Sequence, residues 1–152
     1  MRVCKMQKTT DELVNHIKKA KTIASFFEDN SAEFDSLLFV KTLKSHLETK
    51  KISKQKLVRE AHLNQSYVYD ILNAKKTPSR DTVVKLSFAL GLTLTETTRL
   101  LKLAGYSELY PRIEREAIII FCIENKKDIC YTNDLLCNMQ EKLLIESKCL
   151  GS

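Results

Sequence analysis

Four side chains in one nine-residue stretch can read the edges of flat, hydrogen-bonding ligands: Gln65, Ser66, Tyr69 and Asp70. A glutamine amide presents a donor and an acceptor in one plane, so Gln65 can engage N6 and N7 of an adenine together. The Ser66 hydroxyl can turn to a base edge or to a phosphate. Tyr69 offers an apolar ring for a thymine methyl. Asp70 only accepts, which suits a cytosine N4 donor or a neighbour that holds it in place. A second set has the chemistry to hold a phosphate backbone: Lys54, Gln55, Tyr67, Asn73, Lys75, Lys76 and Arg80. Backbone contacts give affinity and register, whereas base-edge contacts give sequence choice.

Charge concentrates on the same stretch. The chain of 152 residues carries a net +6. Residues 41–80 hold ten basic and three acidic side chains, a local excess of +7. Residues 1–40 balance at six against six, and residues 81–152 hold nine basic against ten acidic. Such focusing favours a polyanion, because each neutralised phosphate releases condensed counterions.

Positioning these groups requires two short helices set at an angle. The segment ISKQKLVREAHLNQSYVYDILNAKKTPSR, residues 52–80, reads as a helix over 54–61 capped by Ser53, a three-residue turn, and a second helix over 65–73. On that second helix Val68, Ile71 and Leu72 form an apolar face that must pack inward. Gln65, Ser66, Tyr69, Asp70 and Asn73 are left outward. This is the layout of a helix-turn-helix, whose second helix enters a DNA major groove. Lys54 and Gln55 open the first motif helix, where free N–H groups favour an anion. Asn73, Lys75, Lys76 and Arg80 follow the second and should meet the backbone on its other side.

The rest of the chain reads as further helices. Gly (3) and Pro (2) are scarce and β-branched alternation is absent, so an all-α fold is expected. Thr9 and Glu12 form a capping box for a helix over 10–28, and a second helix covers 33–50. Pro78 and Ser79 open a fifth that stops at Gly91. Thr93 and Glu96 cap a sixth that stops at Gly105. Pro111 precedes a seventh over 112–125, and Asp128 caps an eighth over 129–145. An offset of 35 relates Arg80-Asp81-Thr82-Val83-Val84 to Arg115-Glu116-Ala117-Ile118-Ile119, Thr97 to Thr132, and Leu100-Leu101 to Leu135-Leu136. Either two hairpins share one plan, or two amphipathic hairpins resemble each other by chance. Residues 117–123 are apolar around the whole helical circumference and should be buried on all sides. A subunit interface through Ile118, Ile119, Phe121 and Ile123 is the expected use; the N-terminal helix competes for that role.

Other chemistries lack their signatures. There is no Gly-rich phosphate loop, no nucleophile elbow and no clustered carboxylates, so an enzyme is not expected. Three scattered histidines and no CxxC spacing argue against zinc, and no cofactor is implied. Five cysteines without an export signal suit reduced thiols and a cytoplasmic protein. Cys130 and Cys137 fall seven apart; buried thiols acting as small hydrophobes outweigh a redox or metal switch. The longest apolar run, seven residues, cannot span a bilayer.

Residues 41–105 resemble the Cro/CI-type (XRE-like) helix-turn-helix regulators. The match runs through Ile52-Ser53-Lys54-Gln55-Lys56-Leu57-Val58, Leu63-Asn64-Gln65-Ser66-Tyr67-Val68, Ile71-Leu72-Asn73-Ala74-Lys75, Pro78 and Leu86–Gly91. The resemblance implies a compact, lambda-repressor-like five-helix bundle in which residues 65–73 are the recognition helix. It also implies two-fold dimers on paired half-sites. Three positions depart from the family pattern. His62 and Ala74 stand where Gly is common, and Val58 where Ala is common. The expected organisation is an N-terminal helical extension (1–32), a DNA-binding domain (33–105) and a C-terminal hairpin (106–152) serving dimerisation. The expected function is a repressor that occupies an operator in double-stranded DNA. The alternative is an antitoxin or interaction module that binds a protein through its N- or C-terminal extension and uses DNA for autoregulation.

Overall fold

Local capping chemistry sets most of the helix starts. The computed structural model describes residues 8–30 and 35–146, and among them lie nine helices and no strand. They are α1 (Thr10–Lys19), α2 (Ile23–Asp29), α3 (Asp35–Thr49), α4 (Lys54–Ala61), α5 (Gln65–Leu72), α6 (Arg80–Ala89), α7 (Leu94–Leu103), α8 (Glu114–Glu124) and α9 (Ile129–Asn138). Thr9, Ser53, Ser79, Thr93 and Asp128 each accept a first-turn N–H with a side-chain oxygen, which satisfies a donor the helix leaves open. The Thr9–Glu12 and Thr93–Glu96 capping boxes are both reciprocal.

Apolar stripes then assemble the bundle. α3 buries Phe39, Leu43 and Leu47, one stripe at four-residue spacing, and packs on α7. α4 packs on α6, and α5 seats Val68, Ile71 and Leu72. One continuous core runs from Phe39 on α3 to Ile145 beyond α9, so the C-terminal hairpin shares its interior with the helix-turn-helix.

Three elements differ from the sequence expectations. The helix expected over 10–28 is two. Ala20 is extended, and the Thr22 hydroxyl accepts the Ser25 N–H at 3.1 Å, so a second cap restarts the chain inside an otherwise periodic run. The helix expected over 129–145 stops at Asn138. Gln140 turns left-handed (φ 59°), and the Glu141 N–H closes back on the Leu136 carbonyl at 2.8 Å. The following tail is held by Asn133, whose Oδ1 accepts the Leu144 and Ile145 N–H groups while its amide donates to the Ile145 carbonyl. Finally, α8 is not buried all round: Ile119, Cys122 and Ile123 are interior, but Phe121 is exposed.

The 35-residue offset is matched by several paired contacts. Gly91 and Lys126 both take positive φ, as do Gly105 and Gln140. The Thr97 and Thr132 hydroxyls each donate to the carbonyl of their helix cap, Thr93 and Asp128. Arg80 donates to the Ser107 and Glu108 carbonyls; Arg115 donates to those of Lys142 and Leu143. Across the hairpins the pairs are reciprocal: Arg80 with Glu116, and Arg115 with Asp81. α6 packs on α9 as α7 packs on α8. Two copies of one hairpin plan therefore face each other in a two-fold-like exchange, and the shared-plan reading of the repeat holds.

Candidate nucleic-acid interface

The turn between α4 and α5 is set by one residue. His62 caps α4 in the left-handed region (φ 53°, ψ 44°), and its N–H closes on the Arg59 and Val58 carbonyls. A Cβ is disfavoured there, which is why glycine suits this position. Asn64 then caps α5, its Oδ1 accepting the Ser66 N–H at 2.8 Å. Ala74, after α5, is also left-handed (φ 58°). Both positions where the sequence departs from a glycine pattern are thus positions of positive φ. His62 has a further contact: its Nε2 lies 3.8 Å from Cys130 Sγ on α9, so the C-terminal hairpin touches the motif's turn.

With Val68, Ile71 and Leu72 buried, α5 presents Gln65 and Ser66 exposed at its N-terminal end. Free N–H groups and the positive end of the helix dipole add to an anion-favouring field there. Tyr69 and Asp70 are half-buried on the outward side. The Lys54 ammonium, at the start of α4, sits 5.8 Å from the Tyr69 ring centre and ties the two helices together through a cation–π contact. Asp70 is held by Lys76, Nζ to Oδ2 3.5 Å, and Lys76 also lies 6.0 Å from the Tyr67 ring. Gln55, Asn73 and Lys75 are exposed. The base-edge set and most of the phosphate set therefore come together on α5 and the two segments that flank it.

Two residues assigned to phosphate point elsewhere. The Tyr67 hydroxyl accepts the Ser79 N–H at 3.4 Å and donates to the Thr82 hydroxyl at 3.5 Å, so it braces α5 against the start of α6. Arg80 directs its guanidinium into the Glu116 carboxylate and two carbonyls of the 107–108 segment. Glu116 is buried and without Arg80 would be an uncompensated interior charge, which is the physical reason the arginine turns inward. No local pattern signals either arrangement, since the partners stand 12 and 36 residues away. The Lys54–Tyr69 contact was equally hidden, because it bridges two helices.

The four residues grouped as an interface separate as well. Ile119 and Ile123 are consumed by the protomer's own core, Ile118 is half-buried, and Phe121 is exposed. Cys122 is buried, and desolvation pushes its thiol up. Cys137 is exposed.

Residues 42–102 match the family model of the Cro/C1-type HTH DNA-binding domain. That span starts within α3 and ends within α7, and it contains α4, the turn and α5. No curated protein and no solved structure matches the chain. Among the described residues no helix is long and apolar enough to cross a membrane.

Proposed function

We propose that this chain, which carries a Cro/C1-type helix-turn-helix DNA-binding domain over residues 42–102, is a sequence-specific transcription regulator that represses by occupying its operator. The observation that carries this reading is the outward face of α5. Gln65 and Ser66 stand exposed at the end of a helix whose opposite face is locked into the core, inside the segment that holds all of the chain's excess positive charge.

Gln65 reads an adenine edge, with Ser66, Tyr69 and Asp70 completing the base-facing set. Lys54, Gln55, Asn73, Lys75 and Lys76 hold phosphates on either side and set the register. Two copies bind a two-fold operator with half-sites about one helical turn apart. Occupancy then excludes polymerase or another regulator. The protein works in the cytoplasm and uses no cofactor.

Selection of bound duplexes from a random library, at near-physiological salt, tests this. A two-fold motif with half-sites about ten base pairs apart is expected. Binding that is purely salt-sensitive, with no enriched motif, would overturn it.

A further inference from the structure

We propose that the α1–α2 arm of one copy docks on the outer face of α8–α9 of a second copy, and that two chains exchange arms reciprocally.

The repeated hairpin plan shows what the outer face of α8–α9 is built to hold. In the first hairpin the outer stripe of α7 runs through Glu96, Leu100 and Ala104. α3 lies on it: His46 of α3 reaches Glu96 at 3.4 Å, and Ala104 shares the wall of a cavity of about 320 Å³ with Phe39 and Val40. The equivalent stripe on α9 is Tyr131, Leu135 and Met139. Tyr131 is 46% exposed, Met139 57%, and Leu135 is only half-buried. On the partner helix, Leu86 of α6 is 0% exposed and its equivalent, Phe121 of α8, is 51% exposed. The two hairpins share their mutual contacts, so this difference arises from the outside. α3 and α4 cover the first hairpin, and among the described residues nothing comparable covers the second. By the repeat, the uncovered face is the counterpart of the one that α3 and α4 occupy on the first hairpin.

The same chain carries a matching occupant. α1 buries none of its residues, and Val14 and Ile17 are exposed on it, as is Ile23 on α2. Lys18, Lys19 and Lys21 are exposed at the α1–α2 junction and Glu124 and Asp134 on α8 and α9, while Lys127 lies 4.7 Å from the Tyr131 ring centre, so charges of both signs border the seat. The ten residues of α1 and seven of α2 approach the roughly 20–30 residues that one side of a standard interface uses. Each chain has one arm and one seat. Reciprocal exchange covers both and closes with two-fold symmetry, leaving no open end for further addition. The inference deepens the two-fold operator reading by naming its interface, yet it is tested without DNA. Failure here leaves a selected operator motif standing, and the converse holds.

Sedimentation of the full chain and two variants tests it. Wild type is expected to dimerise. Ile17→Glu removes the arm, Phe121→Glu removes the seat, and each alone should be monomeric. An equimolar mixture of the two variants should recover a dimer, because one intact arm meets one intact seat. Circular dichroism confirms folding, and Met139→Gln replaces Phe121→Glu should the latter unfold. Dimers that survive Ile17→Glu, a wild type that is monomeric throughout, or a mixture that stays monomeric would each overturn the proposal.

Discussion

Arg115 grips Asp81 through two hydrogen bonds of 3.0 Å each, and the repeat-related Arg80 grips Glu116 in return. The two pairs join the starts of α6 and α8. They fasten the C-terminal hairpin to α6, the helix that follows α5. One of the ten basic side chains in residues 41–80 is thereby spent on structure rather than on a ligand.

Removing the arginine of the better-defined pair should loosen that junction. Arg115 is mostly buried and also satisfies the Lys142 and Leu143 carbonyls. Arg115→Ala should cost about 2 kcal/mol, between the value of an exposed pair and that of a fully buried one. Urea denaturation of the variant against wild type measures it; a change within ~0.5 kcal/mol would mean the pair contributes little.

Gln65→Ala should weaken operator binding by about 1–3 kcal/mol and relax selectivity at one base position. Repeating the duplex selection with the variant reads both effects. An unchanged motif and affinity would remove Gln65 from the base contacts.

Lys75 and Arg80 should behave differently although both are basic and close in sequence. Lys75→Ala should weaken all duplexes alike and lower the salt slope by about one unit. Arg80→Ala should leave the slope nearly unaltered and lower stability instead, because its guanidinium is engaged by Glu116. Affinity titrations over a salt series separate the two.

His62→Gly should stabilise the fold by about 0.5–1 kcal/mol. A left-handed non-glycine residue costs roughly 1–2 kcal/mol, part of which glycine returns as unfolded-chain entropy. Thermal unfolding of the variant checks the sign, and a lowered midpoint would mean that the His62–Cys130 contact outweighs the backbone strain.

Acid should release a specific contribution from Glu96. The Thr93 backbone N–H holds its carboxyl below the usual 4.5, with further help from the Thr93 hydroxyl, His46 and Lys50 and against desolvation. A lowered folded value means the stabilisation is complete above 4.5 and is lost as pH falls through the folded value. Urea midpoints recorded down through that window should fall less steeply for Glu96→Gln than for wild type.

Much of the fold was legible because its signals are local. Ser53, Thr93 and Asp128 mark helix starts by a hydrogen bond within three residues, and α4 begins and ends where its cap and apolar spacing place it. The inward face of α5 follows from three apolar residues, which by elimination exposes Gln65 and Ser66. Even the offset of 35 was visible as a pattern. Tertiary structure alone decided which basic side chains stay exposed and which reach a partner within the chain. Arg80 and Lys75 are both basic in the sequence, but the folded hairpins bring Arg80 to the buried Glu116 carboxylate 36 residues away, which also accepts the Tyr110 N–H, and leave Lys75 exposed. Leu86 and Phe121 occupy one position of one plan, yet one is sealed and the other open, because burial depends on what packs from outside and not on the helix that carries the residue.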